Sequence, residues 1–175
     1  GKKLNNNGAN SWGGISLDAV RGVLYFTTGN PHFYLDGTQR PGPNLNSSSL
    51  IAVDLGKKKI LWSFQETSHD IWNSDLPAPP ILTSIRKNNK IIDVVITPTK
   101  RSNTLILDRL TGEPIFDFRL RKAPISKLPG EKTSYYQPDL IIPEPFGRNV
   151  FSENDLWSYD TKIQKKIKTK YKNYD

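Results

Sequence analysis

Short apolar runs separated by turn-forming residues dominate the chain up to about residue 120. Each run is four to seven residues long, is rich in β-branched or aromatic side chains, and stops at Gly, Asn, Asp or Pro; the runs cover 22–28, 49–53, 60–64, 91–96 and 104–107. This pattern is typical of strands joined by tight turns. Because no amphipathic helical stretch interrupts it, parallel βαβ units are excluded and the pattern predicts an all-β meander.

An internal repeat lies within this region. Ala52-Val53-Asp54 precedes Trp62, and Ile106-Leu107-Asp108 precedes Phe116; the two aspartates are 54 positions apart, and so are the two aromatic residues. Each copy predicts a strand, a turn that begins at Asp, and a second strand with a large aromatic side chain. A period of this length, holding about four short strands, fits a propeller blade. The alternative is a pair of similar hairpins in another β fold.

The last third of the chain has a different pattern. Five prolines between residues 122 and 148 predict an extended surface segment or linker without an array of strands. Ser152–Trp157 has the composition of a capped helix start, and apolar residues recur every fourth position from Ile163 to Tyr171, which predicts a helix from Thr161. We therefore divide the chain into strands over 1–121, an extended segment over 122–150 and a basic helical tail over 151–175.

Composition excludes several kinds of site. There is no cysteine, which rules out disulfides, thiolate metal sites and a cysteine nucleophile. There is no methionine either, and the chain begins at Gly1, so we expect a processed product or a piece of a longer protein. No apolar run approaches the roughly 20 residues that a membrane-spanning helix requires.

The formal net charge of +8 raises nucleic acid as a partner. However, residues 161–175 hold six lysines and one aspartate, so +5 of that charge lies in the tail. The rest of the chain has no basic stretch interleaved with stacking aromatics. We expect no nucleic-acid partner; a lysine-rich helix suits solvent or a membrane surface.

Several strings, taken with the repeat, resemble the pyrroloquinoline quinone (PQQ)-dependent dehydrogenases: Ser11-Trp12-Gly13-Gly14, Thr28-Gly29-Asn30-Pro31, residues 68–77 and Thr99-Lys100. Residues 47–50 and 128–138 are similar to the glucose-dehydrogenase-like branch. The resemblance implies an eight-bladed propeller in which a repeated Trp motif docks each blade on the next. This chain would be a C-terminal fragment, a partial β-propeller of about three four-stranded blades with a short helix, and the remaining blades would be its partners.

The resemblance also implies a cofactor site that holds PQQ and Ca²⁺ (or Mg²⁺). Trp12 would stack on the flat quinone, Asn30 would offer an amide oxygen to the metal, and Lys100 would face the quinone oxygens and stabilise negative charge there. Other roles fit the same residues: a core tryptophan between blades for Trp12, a turn asparagine before proline for Asn30, and a solvent-exposed lysine at a strand end for Lys100.

The sequence departs from the family pattern at Asn73, where the family has the aspartate that accepts the substrate hydroxyl proton. An amide cannot accept that proton, although Asn73 could still coordinate the metal. Asp75 is a candidate substitute, but two residues along a strand correspond to a shift of about 6–7 Å. We expect His69 to be structural.

Two functions follow as hypotheses. The first is a dehydrogenase that oxidises an alcohol or aldose sugar by hydride transfer to PQQ and passes electrons to a membrane quinone or a cytochrome. It implies a periplasmic location and possible anchoring through an N-terminal region upstream of Gly1. The second is a catalytically inactive propeller that serves as a binding or assembly module.

Overall fold

The computed structural model describes residues 8–148 and 151–172. These residues form three antiparallel sheets, with strands in sequence order in each. The first sheet consists of β1 (Ile15–Asp18), β2 (Val23–Thr27), β3 (Ser49–Asp54) and β4 (Lys59–Gln65); the second of β5 (Ile81–Lys87), β6 (Lys90–Pro98) and β7 (Thr104–Asp108); the third of β8 (Phe118–Lys122) and β9 (Tyr136–Leu140). The all-β meander is confirmed.

The sheets differ in strand number from the prediction of four strands each. Only the first has four; in the second, the fourth position is reduced to a single bridge between Leu107 and Pro114, and the third has two strands. Pro114 lacks an N–H group and so cannot donate to a longer ladder. Phe116 therefore lies outside any strand, and the predicted second strand of the second repeat copy is wrong.

The core lies mainly between the first and second sheets. In β2 and β7 alternate side chains are buried, as expected for strands with one face turned inward. The buried apolar cluster consists of Val23, Tyr25, Leu50, Ala52, Leu76, Val95, Leu105, Leu107 and Leu140, with Trp62, Phe64 and Leu82 packed against it.

The two aspartates of the repeat begin turns of the same kind. Asp54 Oδ1 accepts a hydrogen bond from the Lys57 amide at 2.8 Å. Asp108 Oδ1 accepts from the amides of Leu110 and Thr111 at 2.8 and 2.9 Å. A carboxylate at this position satisfies turn amides that have no partner in the ladder, which explains why Asp recurs there. The prediction of turns led by Asp is confirmed in both copies.

Trp62 joins the first sheet to the second. Its indole Nε1 donates to the carbonyl of Arg109 at 3.2 Å, and the Tyr25 hydroxyl donates to the same oxygen at 3.0 Å. The ring packs on Gly112, where an added Cβ would lie 2.5 Å from indole Cδ2. Gly112 also has a φ of 75°, so both the turn and the close approach require glycine. The docking of one blade on the next by the repeated Trp motif is therefore visible at this interface.

The C-terminal region corrects two predictions. The proline-rich segment is not wholly irregular, because β9 lies inside it and pairs with β8 across the predicted boundary at 121/122. Ser152 does cap a helical turn, but that turn is a 3-10 helix of three residues, Glu153–Asp155, and ends at once. The division into three parts otherwise stays a prediction.

The predicted tail helix is present as α1 (Thr161–Tyr171). Asp160 caps its N-terminus by accepting from the amides of Lys162 and Ile163, and Tyr171 packs on Phe151 with ring centroids 5.5 Å apart. Within 8–148 and 151–172, no helix has the length and hydropathy needed to cross a membrane.

The meander order gathers the long loops at one end of the sheets. Loops 28–48, 66–80 and 99–103 follow β2, β4 and β6, whereas the short turns after β1, β3 and β5 lie at the other end. Ile15, the first residue of β1, pairs with Phe26 near the end of β2, so the segment before β1 reaches the loop end too. Every residue of the predicted cofactor site therefore belongs to this end.

Candidate functional site

Four of the five predicted site residues form one hydrogen-bonded cluster at the loop end. The Asn73 amide satisfies its surroundings when its oxygen accepts from Lys100 Nζ at 2.9 Å and its nitrogen donates to Asn30 Oδ1 at 3.2 Å and to Asp75 Oδ2 at 3.1 Å. Lys100 Nζ also donates to Asp75 Oδ2 at 3.2 Å, and the backbone N–H of Asn30 donates to Asp75 Oδ1 at 2.8 Å. Residues from three loops thus meet around Asp75.

Trp12, the fifth residue, adjoins the cluster through Gly29. A Cβ added at Gly29 would lie 2.8 Å from both the indole Nε1 of Trp12 and Oδ1 of Asp75, so only glycine lets both groups approach this backbone. Trp12 is 57% exposed among the described residues. An open indole beside polar oxygens is suited to stacking on a flat ligand.

Asp75 lies closer to position 73 than the sequence predicts. The expected shift of 6–7 Å assumes a strand, but residues 71–77 form no strand and Asn73 has a φ of 59°. This left-handed residue turns the chain back on itself, and the side chains of Asn73 and Asp75 come within hydrogen-bond distance. The prediction that the two positions are separated is wrong.

Asp70 shapes this turn and is not free to act on a substrate. Its carboxylate accepts from the amides of Trp72 and Ser74 at 2.8 and 2.7 Å and from the Ser48 hydroxyl at 2.9 Å. Arg40, itself buried, donates to the Asp70 carbonyl at 2.6 Å. The left-handed conformation of Asn73 is therefore held by buried polar contacts on both sides.

A buried glutamate holds the turn that carries Lys100. Glu66 Oε1 accepts from the Thr99 hydroxyl at 2.8 Å and from the Asn103 amide at 2.7 Å, while its Oε2 has no protein partner. Burial raises the pKa of the Glu66 carboxyl. Sequence analysis missed this residue, because a single Glu after a strand that is otherwise half-exposed looks like an ordinary surface position.

Two residues of the proline-rich segment support the site loop from the other side. His69 is buried, as its predicted structural role requires, and its Nε2 lies 2.6 Å from Glu131 Oε1. Gln137, also buried, bonds to both backbone groups of Ser68. Sequence analysis found no role for Glu131 or Gln137, although both lie in the string that resembles the glucose-dehydrogenase-like branch.

The donor set suits a hard cation bound mainly by neutral oxygens. In the described ranges, no group of three or more His, Cys, Asp or Glu side chains is placed to hold a metal ion. When the Asn73 amide is turned the other way, its oxygen lies beside Asn30 Oδ1 and Asp75 Oδ2, and the cluster then offers two amide oxygens and the carboxylate of Asp75 to a cation. Calcium accepts amide as well as carboxylate oxygens, whereas sites for softer metals rely on His and Cys.

Successive antiparallel sheets, the first docked on the second by a tryptophan, are the arrangement of a β-propeller, and the polar cluster and the open indole lie together at its loop end. The family model described as PQQ, "Glucose/ethanol/alcohol dehydrogenase, beta-propeller domain", matches residues 1–175. The chain belongs to this family, and the predicted family and partial-propeller fold are confirmed.

Relatives with a named function agree with this assignment. The chain is 31% identical over 134 residues to the quinoprotein glucose dehydrogenase of Escherichia coli K12, covering 75% of this chain and 17% of that protein. It is 31% identical over 157 residues to the glycerol dehydrogenase large subunit of Gluconobacter oxydans, covering 85% and 20%. The chain thus spans about a fifth of the length of these relatives.

A solved structure supports the fold independently. The quinohemoprotein alcohol dehydrogenase from Comamonas testosteroni superposes with a TM-score of 0.59 at 25% identity, covering 79% of this chain and 21% of that chain. The matched part of that enzyme therefore shares the overall fold of this chain.

Proposed function

We propose that the intact protein containing this chain is a PQQ-dependent dehydrogenase that oxidises an alcohol or an aldose sugar. The observation that carries the proposal is the convergence of Trp12, Asn30, Asn73, Asp75 and Lys100 at one end of the sheets, from four segments distant in sequence. The family assignment supports it, since the matched relatives are named as glucose, glycerol and alcohol dehydrogenases.

The residues present fit the cofactor that the family implies. Trp12 offers an open aromatic face, and Asn30 and Asn73 offer amide oxygens for Ca²⁺ or Mg²⁺. When bound, PQQ together with its cation supplies the acceptor for the substrate hydride. Lys100, whose side chain is 46% exposed, places an ammonium group beside the cluster, where it opposes negative charge on a ligand oxygen.

Asp75 is the group that we assign to proton transfer. Oxidation of a hydroxyl removes a proton from oxygen and a hydride from carbon, and the Asn73 amide cannot take that proton. The Asp75 carboxylate contacts Asn73 and is itself mostly buried. In this proposal the hydroxyl proton moves to Asp75 Oδ2, the C–H electron pair leaves with the hydride, and a carbonyl product remains.

A specific observation favours a second candidate function. Asp75 already accepts hydrogen bonds from the backbone N–H of Asn30, from the Asn73 side chain and from Lys100, so both of its oxygens have partners. If none of these bonds is released on binding, the intact protein would be a catalytically inactive propeller that acts as a binding or assembly module.

Reconstitution separates the two functions. The intact protein is loaded with PQQ and Ca²⁺, bound quinone is measured by absorbance, and dye reduction is measured with glucose, glycerol and ethanol. The dehydrogenase predicts turnover that falls at least 100-fold in Asp75→Asn but not in Asp117→Asn, an exposed aspartate that serves as the matched control. Bound quinone without turnover, with activity appearing in Asn73→Asp, supports the inactive module. Absence of bound quinone refutes both the cofactor and the site assignment.

We also propose, from the family assignment alone, that electrons pass to a membrane quinone or a cytochrome and that the protein works in the periplasm. Fractionation of cells that express the intact protein tests the location. Recovery with cytoplasmic markers would refute it.

A further inference from the structure

The proline-rich segment reaches back more than 60 residues to hold the start of the loop that carries Asn73 and Asp75. Gln137 Nε2 donates to the Ser68 carbonyl at 2.7 Å and its Oε1 accepts from the Ser68 amide at 2.8 Å. Glu131 Oε1 lies 2.6 Å from His69 Nε2, and Glu131 Oε2 accepts from the Gly37 amide at 2.5 Å. We call Glu131 and Gln137 the clamp.

The clamp is buried and charged. The side chains of His69 and Glu131 are 2% and 1% exposed. His69 Nδ1 lies 2.7 Å from the Gly42 carbonyl oxygen, so each ring nitrogen faces an oxygen atom, one of Gly42 and one of Glu131. Burial alone would raise the pKa of Glu131, but the hydrogen bonds from His69 and Gly37 outweigh it and hold that pKa below its usual value.

Burying this pair is a poor way to gain stability. Removing a carboxylate from water costs several kcal/mol, and well-packed apolar side chains of similar volume often stabilise a fold as well or better. Buried polar or ionic groups are better attested as contacts that select one arrangement of the chain. Here the arrangement selected is the approach of loops 28–48 and 66–80 to each other, since Glu131 bonds to a residue of each.

The clamped residues lead directly to the site. Asp70 follows His69, and its carboxylate binds the amides of Trp72 and Ser74, which flank Asn73. Arg40 fixes the Asp70 carbonyl from the neighbouring loop. Every residue between Ser68 and Asn73 is thus within one position of a buried hydrogen bond. Because these bonds restrict the backbone, a displacement of Ser68 or His69 should also displace Asn73.

We propose that Glu131 and Gln137 are positioning residues that set where Asn73 and Asp75 stand relative to Asn30 and Lys100. The effect on turnover rests on the proposed function, whereas the effect on the loop does not. Neither clamp residue is among the groups that contact the cluster, so they act through Ser68 and His69. The Lys100 turn is held separately by Glu66 and should not respond.

The test uses isosteric variants of the intact protein. Glu131→Gln removes the charge and one acceptor, and Gln137→Glu removes the donor to the Ser68 carbonyl. Glu144→Gln is the matched control, because this exposed glutamate lies in the same segment and undergoes the same chemical change. Amide hydrogen exchange is measured by mass spectrometry on peptides covering 66–78 and 97–105, and Ca²⁺ affinity is measured by calorimetry.

We expect at least tenfold faster exchange over 66–78 in both clamp variants, unchanged exchange over 97–105, and at least tenfold weaker Ca²⁺ binding. In enzyme loaded with PQQ, kcat should fall at least tenfold while KM stays within threefold. The fall in kcat of the double variant Glu131→Gln, His69→Gln should be smaller than the product of the falls in the two single variants, because both changes remove the same contact.

Two results would overturn the proposal. Unchanged exchange over 66–78 would show that Glu131 and Gln137 do not hold the loop, and an equal rise in every peptide would show only a general loss of stability. If the wild type neither binds quinone nor turns over, the proposed function fails, and the exchange pattern still decides whether the clamp holds the loop.

Discussion

Replacing Gly112 by alanine should loosen the contact between the first two sheets. Gly112 has a φ of 75°, and its added Cβ would lie 2.5 Å from Cδ2 and 2.7 Å from Cγ of the Trp62 indole. Carbon atoms without a bond between them do not approach this closely, so the indole must move. When it moves, its Nε1 also loses the 3.2 Å hydrogen bond to the Arg109 carbonyl.

The expected magnitude has two parts. A left-handed backbone costs alanine about 1–2 kcal/mol relative to glycine. Overpacking against a fixed ring adds about 1–3 kcal/mol. Gly22 provides the matched control, because it has a φ of 65° and open space where its Cβ would stand. Gly22→Ala should therefore cost about 1–2 kcal/mol and Gly112→Ala about 2–5 kcal/mol of unfolding free energy.

Urea unfolding of the intact protein, followed by intrinsic fluorescence, measures both variants against the wild type. Removing the ring tests the cause: in a Trp62→Ala background the excess cost of Gly112→Ala over Gly22→Ala should disappear. Equal costs for the two glycine variants with Trp62 present would refute the packing of the indole on this turn.

Two further predictions concern the end opposite the site. The pKa of Asp18 is lowered from 3.8 to about 2 by hydrogen bonds from Arg21 and, to a lesser degree, Arg109, so its contribution is complete above about pH 5 and disappears as the pH falls towards 2. Asp18→Asn should remove about 1–2 kcal/mol of the loss in unfolding free energy between pH 6 and pH 2.5, and an unchanged pH slope would contradict this. Tyr25→Phe should cost only about 1 kcal/mol in urea unfolding, because Trp62 still donates to the Arg109 carbonyl that loses the Tyr25 hydroxyl; a cost above about 3 kcal/mol would show that the carbonyl is left unsatisfied.

Local pattern was enough to predict the strands whose apolar residues are continuous or alternate cleanly. β2, β3, β4, β6 and β7 are of this kind, and the helix α1 is marked by its fourfold spacing. β5 and β8 carry mostly exposed residues, so their pairing depends on a neighbour and not on burial of their own side chains. β9 contains a proline, which a single-sequence argument counts against a strand; an edge position in a two-stranded sheet tolerates it.

The candidate site likewise has residues that the sequence predicts and contacts that it does not. The five central residues (Trp12, Asn30, Asn73, Asp75 and Lys100) lie in strings that resemble those of a known family, so the sequence was enough to propose them. Their relative placement was not, because Asn73 adopts a left-handed conformation that asparagine permits but does not require. Glu66, Glu131 and Gln137 were missed for a different reason: a polar residue that contacts a loop 30 to 70 positions away leaves no periodic signal.

The clamp has a consequence for recombining this protein with its relatives. All five central residues lie between positions 12 and 100, so a chimaera joined anywhere from 105 to 127 would inherit the complete cluster from one parent. It would nevertheless take Glu131 and Gln137 from the other parent, and with them a segment shaped for a different loop. Functional crossovers should therefore fall before residue 12 or after residue 138, because Glu131 also binds Gly37 and the cluster itself begins at Trp12. The stretch between these positions is the smallest block that can be exchanged as a unit.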